Sequence, residues 1–178
     1  MLWAAGLPSK PCRVSSESPT ATKANILASF ETSLLLNCTA ETVFDFLVRP
    51  ANVLKISPPE MQVSFFQPPE VLELGSRIEF EVRGYGQAQQ MIHEITQIEV
   101  PTGFTEQQVK GPMKHWIHEH VFESAGDGGI TVIDRIEFEP PGGLLGFLLT
   151  ESRIVGSLQS GFAHRHRQLK QLLETNAG

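Results

Sequence analysis

The apolar residues of this chain change their period once, and that change restricts the fold more than any other feature. From about Met61 to Pro140, apolar and polar residues alternate in short runs. In "SRIEFEVRG", Ile78, Phe80 and Val82 share one face while Arg77, Glu79, Glu81 and Arg83 share the other. That is the two-residue period of a strand with one buried side. After Gly142 and Gly143 the period lengthens. Ile154, Leu158, Phe162, Leu169 and Leu172 recur at three- and four-residue steps, which predicts one long amphipathic helix from "LLGFLL" to "QLLE". A helix with one apolar stripe must bury it, and half-apolar strands must cover something. The expected fold is α+β, a curved antiparallel sheet wrapped around a long C-terminal helix.

The remaining elements follow from local signals. "SFETSLLLN" places Phe30, Leu34 and Leu36 on one face and reads as a strand. Thr39 is suited to cap a short helix with Val43, Phe44 and Leu47 on its apolar face, and Pro50 marks its end. "ANVLKI" predicts a second short helix before "SPPE". Further strands are read at "MQVSFF", "QAQQMIHEITQIEV", "GFTEQQVKGP", "KHWIHEHVFESA" and "ITVIDRIEFEPP", with a hairpin turn at "GDGG". The alternation in "QAQQMIHEITQIEV" is irregular enough to predict a bulge. Residues 1–25, rich in Ser, Pro and Thr, read as a mobile tail, and residues 26–176 as one domain. "MLWAAGL" has too short an apolar run for a signal peptide.

Charge and composition exclude several classes. The net charge of −6 argues against nucleic acid as a partner, because phosphate recognition needs a basic face. No apolar run is long enough to span a membrane. Cys12 and Cys38 form neither a disulfide framework nor a zinc pattern, and read as free thiols in a reducing cytoplasm. An activated nucleophile, a phosphate loop and a cofactor fingerprint are all missing, so no cofactor is expected.

"KHWIHEHVFE" holds three of the six histidines, and parity sorts them. Trp116, His118, His120 and Phe122 share the inward face; His115, Ile117, Glu119, Val121 and Glu123 point out. In the last strand Val132, Asp134, Ile136 and Phe138 face inward, and Phe104 carries Glu106 and Gln108 with it in the strand before. On the helix, Arg165 lies within the apolar stripe, so it is expected to pair with Glu106 or Asp134. His164, His166 and Arg167 are then solvated. Trp116, Phe122, Phe138, Ile78, Phe80, Phe162 and Leu158 are expected to line one continuous interior.

The polar inner face admits three readings: satisfied structural pairs, the polar end of a ligand cavity, or a metal held by His118 and His120. A metal needs a third ligand, which Asp134 or Glu106 would have to supply and which no spacing demands, so no metal is expected. Leu144, Leu145, Phe147, Leu148 and Leu149 of "PPGGLLGFLL" exceed what one buried face requires; they are read either as bordering a cavity entrance, with "PANVLKISPP" as the opposite rim, or as covering the end of the core.

The order of elements resembles the START/SRPBCC superfamily, whose helix-grip fold carries a curved sheet around a long helix. "FTEQQVKGPMKHWIHEHVFE", "TVIDRIEFEPPGGLLG" and "GFAHRHRQL" are similar to the bacterial polyketide cyclase/lipid-transport branch. Trp116, His118, His120, Phe122, Asp134, Pro140, Phe162 and Arg165 carry the likeness, over about residues 28–174; the second Pro and the Gly pair of "EPPGG" depart from it. The resemblance implies a cavity between sheet and helix for a hydrophobic small molecule such as a lipid, isoprenoid or polyketide. Ligand-binding candidates are Phe80, Glu106, Gln108, Trp116, His118, His120, Phe122, Asp134, Phe138, Phe147, Phe162 and Arg165. A cyclase/dehydratase-type enzyme is the rival reading, with His118 or His120 as general base, Asp134 orienting it and Arg165 stabilising an enolate. A regulatory protein whose interior is only core is the third. Transient membrane contact is compatible with all of them, stable insertion with none.

Overall fold

The structure, a computed structural model, describes residues 27–84, 87–126 and 128–174. The tail expected over residues 1–25, Cys12 and one residue of the "GDGG" turn lie outside them. The elements run β1 (Ala28–Leu36), α1 (Ala40–Leu47), α2 (Pro50–Ile56), a 3-10 turn (Pro59–Met61), β2 (Ser64–Phe66), β3 (Arg77–Gly84), β4 (Gln87–Glu99), β5 (Gly103–Lys110), β6 (His115–Gly126), β7 (Gly129–Glu139), α3 (Gly143–Leu148) and α4 (Glu151–Glu174). The strands form one antiparallel sheet in the order β1-β7-β6-β5-β4-β3-β2. β1 and β2 follow one another in sequence but occupy opposite edges, so α1 and α2 carry the chain from one edge to the other. None of the described helices is long and apolar enough to cross a membrane.

Local chemistry explains the short helices. The Thr39 hydroxyl accepts the Thr42 N–H at 3.3 Å and caps α1. Pro50 opens α2 at its first turn, where a missing N–H costs nothing. Val43, Phe44 and Leu47 are buried as the sequence predicts. "MQVSFF" is less of a strand than expected: only Ser64–Phe66 pairs, and Met61 belongs to the 3-10 turn.

The long helix is also interrupted. "LLGFLL" forms α3, which ends where the Leu149 N–H bonds the Leu145 carbonyl at 2.9 Å and Leu149 turns out of helical geometry, φ −107 and ψ 64. Thr150 then starts α4, its carbonyl accepting from the Ile154 N–H at 2.9 Å with Glu151 in the first turn. A threonine followed by an acid favours a fresh N-terminus over a helix interior.

The interior is not continuous. Leu36, Val43, Phe44, Ile95, Phe104, Phe122, Val132 and Leu169 belong to one apolar cluster, under α1 and the C-terminal half of α4. Ile136, Phe138, Ile154 and Phe162 form a second, with Trp116 and Leu158 against it. Ile78 and Phe80 join the first. The expected single apolar interior is therefore divided, and what divides it is polar.

Candidate functional site

The divider is a belt made of His93 of β4, Glu106 of β5, His118 and His120 of β6 and Asp134 of β7, with Thr32 of β1 and Gln108 of β5 in register beside it. Thr32 of β1 faces Asp134 of β7 in register, Asp134 faces His120 of β6, His118 faces Glu106 of β5, and Gln108 of β5 faces His93 of β4. Along β6 the inward residues read Trp116, His118, His120, Phe122, so the belt lies between an aromatic of each cluster. His93, His118, His120 and Asp134 are buried, and Asp134 has no exposed surface.

The belt is tightly linked. His118 Nε2 lies 2.9 Å from Asp134 Oδ1, and His118 Nδ1 lies 3.1 Å from Glu106 Oε1. His120 Nδ1 is 2.8 Å from the same Asp134 oxygen, and its Nε2 is 3.8 Å from Glu106 Oε1. His93 Nδ1 reaches Glu106 Oε2 at 3.3 Å. Burial works against the charge on Asp134, yet the Arg165 guanidinium and the His118 and His120 rings hold its carboxyl well below the usual carboxylate range. Burial likewise opposes ionisation of Glu106, and the charge of His93 with contacts from His118, His120 and His93 overcomes it.

These ionised carboxylates can only accept protons in hydrogen bonds. With a carboxylate at each ring nitrogen, His118 satisfies both by carrying a proton on each. Burial lowers its proton affinity, but the bonds to Asp134 and Glu106 and their charges win, and its pKa is raised. A raised folded-state value stabilises the fold below the unfolded imidazole pKa of about 6.5, and that contribution is lost as pH rises through the folded value. Urea denaturation of the wild type from pH 6 upward is expected to show this alkaline fall, and the fall should vanish in His118→Gln. A profile of the same shape in both would show that His118 does not carry the proton.

Beside the belt, on the α3 side, lies a cavity of about 970 Å³. Its walls come from the end of α2 and the 3-10 turn (Ile56, Pro58, Met61), from β3 and β4 (Val82, Met91), from the β5–β6 turn (Met113, Trp116), and from Leu149 and α4 (Ile154, Leu158, Phe162). Its charged lining is Glu60, Arg83, Arg153 and Arg165. A mostly apolar hollow of this size with few polar groups is the usual form of a small-molecule site.

Three of the twelve candidate residues, Trp116, Phe162 and Arg165, line this cavity. Glu106, His118, His120 and Asp134 converge in the belt behind Phe162, whose ring centroid is 5.8 Å from that of His118. Phe80 stacks edge-on against His93 at 4.9 Å, and Phe122 lies 6.4 Å from Phe44 in the other cluster. Phe138 is fully buried, 6.0 Å from Trp116. Gln108 turns away from the belt, its Nε2 donating to the Met113 carbonyl at 2.7 Å. Phe147 does not line the cavity and is 77% exposed on α3, which ends before α4 begins.

Two helix residues differ from expectation. Arg165 makes no ion pair with Glu106 or Asp134: histidines meet both oxygens of Glu106 and Oδ1 of Asp134, while Asp134 Oδ2 has no hydrogen-bond partner; the Arg165 guanidinium carbon sits 5.6 Å from the centre of the Phe162 ring. His166, expected in solvent, has a buried Nε2 and lies 6.0 Å from Phe162, and burial pushes its pKa down. His93 is the belt member that sequence reasoning missed. Register shifts at Ile92/His93 and Ile95/Gln97 change the parity of β4. The signal was the step from Ile95 to Ile98 in an alternating strand; counting back from Ile95 turns His93 inward.

Glu106, His118 and His120 also place one ligand-type atom each within 4.8 Å of one another, so they are the described residues that could hold a metal ion.

Residues 90–173 match a family described as a domain of unknown function, DUF8410. A search of curated proteins returned no match. Among solved structures, the chain is similar to the ZhuI aromatase/cyclase from Streptomyces sp. R1128, with 13% identity and a TM-score of 0.67 over 86% of this chain and 97% of that one. It is similar to the major latex-like protein 151 of Panax ginseng at 16% identity and a TM-score of 0.63, covering 83% and 97%. TTHA0849 from Thermus thermophilus matches at 12% identity and 0.63, over 85% of this chain and all of that one. The seven-stranded open sheet, the short helices after β1 and the long C-terminal helix are shared at the level of the backbone. The fold of this chain is the helix-grip fold, a curved antiparallel sheet around a long C-terminal helix.

Proposed function

We propose that the chain binds a hydrophobic small molecule, of the lipid, isoprenoid or polyketide kind, in the cavity between sheet and α4. The observation that carries this is the cavity itself, about 970 Å³ walled mainly by Met, Trp, Leu, Ile and Phe side chains. Water against apolar walls is unfavourable, and an apolar ligand would replace it with packing contacts. Entry is read beside α3: Leu144, Phe147 and Leu148 are exposed there, and Leu149 reaches the cavity wall. Ile56 and Pro58 form the facing rim. A transient meeting with a lipid surface at α3 suits this arrangement; a nucleic-acid partner does not suit a chain of net charge −6.

A cyclase-type enzyme is the second reading, favoured by the proton held between His118, Asp134 and Glu106 next to Phe162. Binding is preferred because His118, His120, Asp134 and Glu106 do not line the cavity. The same belt is read as holding a proton and no metal. His118 Nδ1 and Nε2 each lie within 3.1 Å of a carboxylate oxygen, an arrangement met by hydrogen bonds from a doubly protonated ring.

Native mass spectrometry of the purified full chain tests both points. The expected result is a retained organic mass, or its appearance after incubation with a lipid extract. Ligand should then slow deuterium exchange at residues 50–61 and 143–149. A spectrum that stays apo throughout overturns the binding reading. A stoichiometric increment of one divalent metal ion, lost in His118→Gln, overturns the proton assignment.

A further inference from the structure

We propose, resting on the reading that the cavity binds an apolar molecule, that this molecule is an acid: a hydrophobic body ending in a carboxylate or similar anionic oxygen group, received by Arg165 and Trp116. Two cavity-lining residues carry a buried polar atom with no partner, Trp116 Nε1 and Arg165 Nε. Both are donors and neither group can accept. Buried donors left unpaired are costly, and the natural relief is an acceptor brought in by the occupant. The other buried unpartnered atoms, on His120, Asp134 and His166, belong to residues that do not line the cavity. Among the described residues that line the cavity, both unpartnered buried atoms are therefore donors, which favours an occupant with acceptor oxygens.

Charge selects further. The lining holds Arg83, Arg153 and Arg165 against Glu60 alone, in a chain whose net charge is −6. Arg83 is neutralised by Glu81 at 2.8 Å. Arg153 donates to the Leu148 carbonyl at 3.2 Å, which leaves its charge uncompensated near α3. Among the described residues Arg165 makes no ion pair; its charge lowers the Asp134 pKa, but Asp134 Oδ1 bonds His118 and Oδ2 has no hydrogen-bond partner, so neither oxygen bonds the guanidinium. A guanidinium offers a planar fork that matches a carboxylate, and it stays charged at any ordinary pH. Met91, Met113, Leu158 and Phe162 offer the acid's body apolar contact, and the uncharged polar side chains of the wall are Ser57, Gln89, Ser157 and Ser160.

The test compares head groups on one body. Laurate, methyl laurate, lauryl alcohol and laurylamine are titrated calorimetrically into the wild-type full chain, with naphthoate and methyl naphthoate as a flat aromatic pair. The acid of at least one body should bind about tenfold or more tighter than its neutral and cationic counterparts, the size of one charge-assisted hydrogen bond. Arg165→Met should abolish that preference while keeping the neutral probes' affinity; Arg165→Lys should keep part of it, and Trp116→Phe should reduce it. Neutral probes that bind the wild type as tightly as the acids overturn the acid assignment and leave the cavity reading standing. An acid preference that survives in Arg165→Met overturns it too. If no probe of either body binds, the cavity reading fails and takes the acid with it.

Discussion

Asp134→Ala is expected to cost roughly 3–5 kcal/mol of folding stability, the usual penalty for removing one partner from a buried charged set. Asp134 has no exposed surface, and its Oδ1 lies within 2.9 Å of His118 Nε2 and 2.8 Å of His120 Nδ1. Its removal leaves the His118 Nε2 proton without its acceptor and takes away the negative charge that faces Arg165 and the histidines. Asp134→Asn keeps the shape and one acceptor oxygen, so it should cost less than Ala while still losing the charge. Urea denaturation at neutral pH measures both. A loss within about 0.5 kcal/mol for Asp134→Ala, the range of surface changes, would mean that the belt is not an electrostatic unit.

Phe138→Ala should be as damaging for a different reason. Phe138 is fully buried in the second apolar cluster with Ile136, Ile154 and Phe162. Truncating a core phenylalanine typically costs about 3–5 kcal/mol, part lost transfer energy and part cavity. Phe147→Ala is the matched control: its ring is 77% exposed, so its loss should stay within about 0.5 kcal/mol. Equal effects at the two positions would refute the assignment of faces from which the site is built.

Those faces were largely legible in the sequence because a strand's period is local. Trp116, His118, His120 and Phe122 needed only their spacing to be placed together, and so did Val132, Asp134, Ile136 and Phe138. The cap at Thr39 and the stripe on α4 were legible for the same reason. What escaped depended on something other than period. A bulge shifted β4, and His93 went unnoticed. The break between α3 and α4 hung on Thr150, a cap signal set inside a run of leucines that reads as one stripe. The partner of Arg165 could not be read, since pairing depends on side-chain geometry as well as burial: Asp134 and Glu106 were correctly placed inside, but the histidines hold both Glu106 oxygens and Asp134 Oδ1, and Arg165 pairs with neither residue. The cavity was inferred from family likeness. Empty volume depends on how far a helix stands from a sheet, and no residue pattern records that distance.

The belt also sets where this protein is free to change. On the α1 side of it, Val43, Phe44, Ile95, Phe104, Phe122 and Leu169 are close-packed, and any altered volume there is felt by the whole fold. On the other side, Met91, Met113, Leu158 and Trp116 border empty space, so a substitution reshapes the hollow more than it weakens the surrounding packing. Proteins evolve just above a stability threshold, and most random substitutions push them towards it. Here Met91, Met113 and Leu158 shape the pocket apart from the positions that hold the threshold, while Ile56, Ile154 and Phe162 do both. Descendants of this chain can therefore drift from one small molecule to another without first having to become more stable.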